Sequence, residues 1–214
     1  MLKLYSYFRS SASYRVRIGL NFKGLHYEYI PVHLLKDGGQ QHQEAFRKVN
    51  PMGHVPALDH EGFLVAESVA ILDYIDQMFP AKPLFPSHPK ERARVLQVCE
   101  VINSGIQPLQ NLKVNQYFEK EFGHGKADVE RWNRHWIESG LKNLEKMLTT
   151  SAGTYCFGGE FTAADCFLVP QCFAARRFGV KIENYPVISR IHEACNKLAP
   201  VQAAHPEKQP DYSP

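Results

Sequence analysis

The sequence predicts an α/β domain with a mixed sheet, followed by an all-α domain. Strand-like and helix-like segments alternate in the first part of the chain, whereas the remainder shows only helical periodicity. Four prolines from Phe79 to Pro89 lie at the change of pattern and indicate a linker. We therefore expect one domain at residues 1–80 and a second at residues 89–214, joined by residues 81–88.

The first domain is predicted to contain four strands and three helices. In chain order these are a strand at 2–7, a helix at 13–22, a strand at 27–32, a helix at 43–49, strands at 57–59 and 63–66, and a helix at 68–78. Gly24 is placed to end the first helix, and the turn at 60–62 makes the last two strands a hairpin. Two strands joined by a helix run parallel and a hairpin is antiparallel, which predicts a thioredoxin-like mixed sheet.

The second domain is predicted to be a helical bundle. Helices are expected at 91–101, from Pro108 toward Phe122, at 129–148, from the segment GGEFTAADCFLVPQ onward, and at 186–198. Thr162 and Asp165 have the spacing of a capping box, which gives them a structural role at a helix start. The final HPEKQPDYSP is polar and rich in proline and is expected to be extended.

Composition and charge exclude several classes of function. The chain is 44% apolar, which is typical of a soluble globular protein, and its net charge of +3 is spread without a basic block for nucleic acid. We find no signal peptide and no apolar run of the roughly 20 residues that cross a membrane. The five cysteines have neither CxxC nor zinc spacing, so reduced thiols in the cytoplasm and no metal site are expected.

The joint between the first strand and the first helix carries hydroxyls at Ser10, Ser11 and Ser13. A helix begins with unpaired backbone N–H groups and the positive end of its dipole, a place that stabilises an anion. A serine here has two interpretations, either as a helix cap or as a hydrogen-bond donor to a bound thiolate. Spacing alone leaves both open, although three hydroxyls exceed what capping needs.

Two further stretches suit a peptide-like ligand. In NPMGHVPAL, Pro56 precedes a strand and is a candidate cis proline, which would turn the N–H and C=O of Val55 outward toward an extended ligand. An ordinary trans turn is the alternative. Ser68 begins a helix and can donate to a carboxylate, while Glu67 can accept from an ammonium group. A simple cap at Ser68 is the alternative there.

Other polar residues give weaker indications of a site. Arg176 and Arg177 are adjacent on a predicted helix, where such a pair forms either a solvated face or a clamp for carboxylates. The ten histidines contain no pair with the spacing of metal ligands.

Together these stretches resemble the zeta class of the glutathione transferases. The resemblance covers nearly the whole chain and rests on YFRSSASYRVRI, LLKDGGQQ, NPMGHVPAL, SGIQPLQN, TAADCFLVPQ, ARRFGV and HPEKQPD. The serine motif and IQPLQN are specific to the class, whereas the proline segment and the capping box occur throughout the superfamily. The resemblance implies a thioredoxin-like glutathione-binding domain, a helical domain and assembly as a homodimer.

The resemblance also implies roles for single residues. Ser10 and Ser11 would be catalytic and would hold the glutathione sulfur, while Val55 would pair with the cysteinyl backbone beside the cis Pro56. The other implied contacts with the tripeptide are made by Gln41, Glu67, Ser68, Gln107 and Asn111. Substrate carboxylates would be bound by Arg177, with Arg9 or Arg176 in support.

The implied activity is the glutathione-dependent cis–trans isomerisation of maleylacetoacetate to fumarylacetoacetate, in tyrosine and phenylalanine catabolism. Three positions bear on this implied activity. Ala12 replaces a cysteine that is frequent in the family, which counts against reductive dehalogenation, and Glu67 stands where many relatives have glutamine. Tyr7 lies where other transferase classes keep a catalytic tyrosine, but the intact serine motif ranks ahead of it.

Three alternative functions remain open at this stage. Maleylpyruvate is a shorter diacid that the same chemistry would isomerise. A general transferase would consume glutathione stoichiometrically by conjugating it. A non-catalytic binding module would be expected to have lost its thiol-activating residues, and the serine motif is present.

Overall fold

Residues 1–213 are described by a computed structural model, in which the chain forms two compact units. One unit contains residues 1–85 together with the C-terminal segment from Asn196, and the other is Pro86–Cys195. The sequence prediction assigned everything after residue 88 to the helical domain, so the structure differs from it in the last part of the chain. Pro214 lies outside the described residues.

The first unit is built on a four-stranded sheet in the order β2-β1-β3-β4. Its elements are β1 (Leu2–Ser6), α1 (Ser11–Lys23), β2 (Tyr27–Pro31), α2 (Glu44–Val49), β3 (Ala57–His60), β4 (Phe63–Ala66) and α3 (Ser68–Met78). β1 is parallel to β2 and antiparallel to β3, so Leu4 lies between Tyr29 and Leu58. β3 and β4 are antiparallel. The predicted mixed sheet is thus confirmed.

Helix α1 begins two residues before the predicted start at residue 13. Ser10 has an extended backbone at the N-cap position, and its Oγ accepts the N–H of Ser13 at 3.2 Å, so the helix already includes Ser11. The helix ends at Gly24 as predicted, with φ of 72°, a left-handed conformation that glycine adopts without a steric penalty. Val16, Ile18 and other apolar side chains of α1 are buried in the core.

A buried ion pair fastens α1 to α3. The Lys23 ammonium lies 2.7 Å from an Asp76 carboxylate oxygen, and their side chains are 0% and 5% exposed. Asp76 also accepts the N–H groups of Leu84 and Phe85, and Lys23 donates to the carbonyl of Ala81 among others. A buried pair is tolerated when its remaining hydrogen-bonding capacity is used in this way. The pair therefore fixes the segment of Leu84 and Phe85 against α1 and α3.

The second unit is helical, as predicted. Its main helices are α4 (Pro89–Glu100), α5 (Leu112–Phe122), α6 (Lys126–Leu148), α7 (Ala163–Arg177) and α8 (Pro186–Cys195). A π-helix at Val101–Ile106 and a 3-10 helix at Gln107–Gln110 follow α4. The prediction of one helix from Pro108 is wrong, because Asn111 is extended and its side chain accepts the N–H of Lys113, which starts α5 at residue 112.

Helix α7 is the most buried helix of this unit and begins with the predicted capping box. Asp165 is fully buried, and its carboxylate accepts the N–H of Thr162 at 2.8 Å and the N–H of Cys156 at 2.9 Å. Burial raises the pKa of Asp165, which the hydrogen bonds partly oppose. The structural role predicted for Thr162 and Asp165 is confirmed.

The C-terminal segment packs within the first unit. It contains α9 (Ala199–Ala204), which the sequence did not predict, and a 3-10 helix at Pro206–Lys208. The expectation of an extended tail is therefore wrong for part of it. Gln209 is buried, and its Nε2 donates to the carbonyls of Ala203 and His205, so short-range bonds fold the tail back.

Over the described residues, every helix is too short or too polar to cross a membrane.

The Asp76→Ala variant tests the buried ion pair. It leaves the Lys23 ammonium buried without its anion and leaves the N–H of Leu84 and that of Phe85 unpaired, so we expect the free energy of unfolding to fall by about 3–5 kcal/mol. Urea unfolding at one protein concentration measures the loss. Lys48→Ala, which breaks the exposed pair with Glu44, is the matched control and should change stability little. Equal losses in the two variants would contradict a structural role for the buried pair.

Candidate active site

The loop between β1 and α1 presents hydroxyl groups at a helix start without acidic residues. Ser10 and Ser11 are both partly exposed, and no acidic residue lies in the first turn of α1. Ser10 Oγ accepts from Ser13, which leaves its own O–H available to donate. Ser11 is the first residue of the helix. Donor groups and an uncompensated helix dipole at one place can stabilise an anion.

Arg17 binds this loop through backbone carbonyls, a role that the sequence did not predict. Its guanidinium, which is 0% exposed, donates to the carbonyls of Tyr7 at 3.3 Å and Phe8 at 2.9 Å. It also donates to Ser6 Oγ at 3.2 Å. Burial lowers the pKa of Arg17, as it does for any cation removed from water. The bonded carbonyls show why a buried cation is tolerated at this position.

The loop before β3 contains the predicted cis peptide bond. The Val55–Pro56 bond is cis, and Val55 is buried. The side chain of Asn50 donates to the carbonyl of His54 at 2.8 Å and accepts the N–H of Met52 at 3.1 Å, which fixes the loop. Neither the N–H nor the C=O of Val55 bonds to another described residue. Both remain available to an extended ligand.

The start of α3 brings Ser68 into contact with α1. Ser68 Oγ accepts from Nη1 of Arg15 at 3.0 Å, and both side chains are almost completely buried. Because the hydroxyl accepts from a cation, its proton is left to donate to an anion. Glu67 precedes it with φ of 69°, a conformation that is uncommon for a residue with a Cβ. Its exposed carboxylate lies 3.6 Å from Nδ1 of His54.

Gln41 supplies a buried acceptor without a partner among the described residues. Its Nε2 donates to the carbonyl of Leu34 at 3.3 Å, whereas its Oε1 is buried and unpaired. Gly39 has φ of 96°, and a Cβ there would lie 2.7 Å from the Gln41 amide, so glycine is required for this packing. An unpaired buried acceptor can accept a hydrogen bond from a donor of a ligand or of a water molecule.

One apolar cluster underlies these residues. Its buried members are Tyr7, Phe8, Val32, Phe46 and Val55, with Leu34 packed against them. It places the loop before Ser10 beside the cis-proline loop and beside the residue that holds Gln41. Tyr7 is 3% exposed, and its ring packs edge-on against those of Phe8 and His33, so its position is set by the core.

The remaining predicted site residues are arginines and residues of the second unit. The Arg9 guanidinium lies 5.9 Å from the centre of the Phe8 ring. Within the second unit, Gln107 begins the 3-10 helix after the π-helix. Arg176 bonds Glu183 at 3.1 Å, and the Arg177 guanidinium lies 5.7 Å from the centre of the neighbouring Phe178 ring.

The chain's own thiols are poorly suited to nucleophilic chemistry. All five cysteines are buried, and none of them forms a disulfide. Burial raises the pKa of Cys172 to about 12, and it also raises the pKa values of Cys156 and Cys195. No group of side chains in the described part of the chain has the composition of a metal site. Any reactive sulfur at the start of α1 must therefore come from a ligand.

Two protein-family models match this chain. The glutathione S-transferase N-terminal domain matches residues 1–77, and the glutathione S-transferase C-terminal domain matches residues 126–194. The matched regions lie in the first unit and in the helical second unit respectively.

Individual relatives are similar over almost the whole chain. The probable maleylacetoacetate isomerase 2 of Drosophila melanogaster is 47% identical over 211 residues, which are 99% of this chain and 90% of that protein. A bacterial zeta-class maleyl pyruvate isomerase, solved in its holo form, is 38% identical with a TM-score of 0.95, over 99% of this chain and 100% of its own. The maleylacetoacetate isomerase of Anaeromyxobacter dehalogenans 2CP-1, solved with bound dicarboxyethyl glutathione and citrate, is 42% identical with a TM-score of 0.88, over 100% and 98%. The chain belongs to the glutathione S-transferase family and to its zeta class.

Proposed function

We propose that this protein binds glutathione in its first unit and uses it to isomerise maleylacetoacetate to fumarylacetoacetate. The observation that carries the proposal is the start of α1, where Ser10 and Ser11 offer hydroxyls at a helix N-terminus without acidic residues. Such a place favours a sulfur anion over a neutral thiol. The relatives' names supply the substrate class.

The residues present fit the three parts of glutathione. Ser68, oriented by Arg15, is suited to the α-carboxylate of the γ-glutamyl residue, and Glu67 is suited to its ammonium group. The open N–H and C=O of Val55 match the backbone of the cysteinyl residue. The unpaired Oε1 of Gln41 can accept a hydrogen bond from an N–H group of the tripeptide. We assign the sulfur to the serine hydroxyls.

Ser10 and Ser11 would act by stabilising charge. Glutathione supplies the sulfur that adds reversibly beside the substrate carbonyl and so permits rotation about the former double bond. A free thiol has a pKa of about 8.5, so only a few per cent is ionised near pH 7. Hydrogen bonds that lower this pKa by about two units correspond to about 2.7 kcal/mol and make the thiolate the main form.

We assign the substrate's carboxylates to arginine side chains. Arg177 is the principal candidate, and its planar guanidinium can bind a carboxylate through two hydrogen bonds. Arg9 and Arg176 are secondary candidates, and Arg176 would have to exchange its contact with Glu183 for one with the substrate. Gln107 and Asn111 are also assigned to ligand binding.

Maleylpyruvate is the second candidate substrate, favoured by the high similarity to a bacterial maleyl pyruvate isomerase. A conjugating activity is a third candidate, in which glutathione would be consumed. Ala12 supports isomerisation over reductive dehalogenation, because the first turn of α1 has no thiol that could form a mixed disulfide with glutathione. A non-catalytic binding role is disfavoured by the retained serine hydroxyls at the acid-free helix start.

We further propose that the protein is a cytoplasmic homodimer acting in tyrosine and phenylalanine catabolism. Five cysteines that form no disulfide support a reducing compartment. Large exposed apolar side chains of the first unit, including Met52, Phe63 and Met78, support a protein interface. Sedimentation velocity should give about twice the mass of one chain, and a single-chain mass would refute the dimer.

The central test is an absorbance assay with enzymatically made maleylacetoacetate. We expect turnover only when glutathione is present, and we expect a substoichiometric amount to suffice because the sulfur is regenerated. S-methylglutathione, which cannot ionise at sulfur, is the matched control and should give no turnover. Turnover without glutathione would refute the proposal. Stoichiometric loss of glutathione would favour conjugation, and a higher kcat/KM for maleylpyruvate would change the assigned substrate.

Single substitutions separate the serines from Tyr7. Ser10→Ala or Ser11→Ala should lower kcat/KM by about 10- to 100-fold, because a hydrogen bond to a charged group is worth about 1.5–3 kcal/mol. Tyr7→Phe keeps the ring and should cost little. Unfolding curves control for loss of the cap in Ser10→Ala. A larger loss in Tyr7→Phe than in both serine variants would assign thiol activation to the tyrosine.

A further inference from the structure

The proposed function assigns no part in binding glutathione or substrate to the tail motif HPEKQPD. In the structure it belongs to the first unit. Its Asp211 contacts the loop that leads to Ser10, although the two residues that bond, Asp211 and Phe8, are 203 positions apart. This long-range contact calls for an explanation.

Asp211 bridges the loop and the sheet with its two carboxylate oxygens. Oδ2 accepts the backbone N–H of Phe8 at 3.0 Å, and Oδ1 accepts the hydroxyl of Tyr29 at 2.6 Å. Burial and the bond to Asp211 raise the pKa of Tyr29, so its hydroxyl stays protonated as a donor. The next residue, Tyr212, packs edge-on against the Phe8 ring at 5.5 Å.

Arg17 binds the same loop through its carbonyl groups. It donates to the carbonyls of Tyr7 and Phe8, and its Nε donates to the carbonyl of Ala204 at 3.1 Å, at the end of α9. The segment of Tyr7 and Phe8 is thus held by a cation through its C=O groups and by Asp211 through an N–H group. Both anchors involve the C-terminal segment.

One further hydrogen bond connects this anchored segment to Ser10. The N–H of Ser10 donates to the carbonyl of Tyr7 at 3.0 Å, which is the carbonyl that Arg17 also binds. Gln209, bonded to the carbonyls of Ala203 and His205, fixes the tail just before Asp211. A displacement of about 1 Å at a reacting group can cost about 100-fold in rate, so the anchoring of this loop matters for chemistry.

We propose that Asp211 is a positioning residue, through which the C-terminal segment holds the Phe8 peptide so that the Ser10 and Ser11 hydroxyls face the glutathione sulfur. The inference rests on the proposed function. It assigns to the end of the chain a role in thiol activation, exerted through hydrogen bonds to the loop and without contact with the ligand.

The test measures the thiol of bound glutathione by ultraviolet difference spectroscopy over a pH series. We expect Asp211→Ala to raise the bound thiol's pKa by about one unit relative to the wild type and to lower kcat/KM about tenfold near pH 7. The Kd for S-methylglutathione should change less than threefold, because this ligand does not need the sulfur anion. If Asp211→Ala weakened the binding of glutathione and of S-methylglutathione equally, the loss would be purely structural and the proposal would be refuted.

Three variants make the outcome specific. Asp211→Asn keeps an acceptor for the Phe8 N–H and should retain a pKa near the wild-type value. Tyr29→Phe removes the other bond of Asp211 and should lower stability while leaving the thiol pKa in place. Glu207→Gln, which alters an exposed carboxylate of the same tail, is the matched control. A rise in Tyr29→Phe as large as in Asp211→Ala would refute the proposal in favour of general loosening.

The wild type separates this inference from the proposed function. If the wild-type protein does not lower the pKa of bound glutathione, the proposed function fails and the positioning role fails with it. If the wild type lowers it and Asp211→Ala lowers it equally or further, only the positioning role is refuted. A lower pKa in Asp211→Ala would mean that the carboxylate acts mainly through its charge.

Discussion

The buried guanidinium of Arg17 is the constraint on which the first unit depends. A cation without access to water requires acceptors, and a chain has few unused ones apart from backbone carbonyls. Arg17 takes the carbonyls of Tyr7, Phe8 and Ala204. The requirement to satisfy one side chain thus fixes the turn after β1 and fastens α9 to it. The same turn carries the hydroxyls at the start of α1.

Some polar groups of the first unit are bonded within the protein, whereas others have no partner among the described residues. The groups that are satisfied internally include the Lys23–Asp76 pair and the Asp211 carboxylate. Groups left open among the described residues include the Val55 backbone and the buried Oε1 of Gln41. Leaving buried polar groups unpaired costs free energy, and in the function proposed above glutathione would recover it on binding. Rigid surroundings keep these groups in place before the ligand arrives.

Local signals in the sequence were enough to predict much of the fold. Gly24, the hairpin turn and the Thr162–Asp165 box act within a few residues, so each could be interpreted from spacing. Contacts across long separations could not be predicted in this way. Arg17 meets a carbonyl 187 positions away, and Asp211 meets Phe8 from the other end of the chain. The predicted Pro108 helix failed for a different reason, since a proline and an asparagine cap compete to start one helix.

The candidate site residues divide in the same way, into those with local signals and those that depend on long-range contacts. Ser10, Val55 and Ser68 lie beside turns and helix starts whose chemistry is local, so the sequence could indicate them. Buried arginines hold Ser68 and the loop that leads to Ser10, and these residues, Arg15 and Arg17 in YRVRI, would be taken for an exposed helix face from their charge alone. Because the five cysteines are buried, the chain presents a place for an anion without an exposed thiol of its own. In the proposed function the sulfur of glutathione would occupy that place, and the buried arginines would hold the surrounding loop and helix start in position for it.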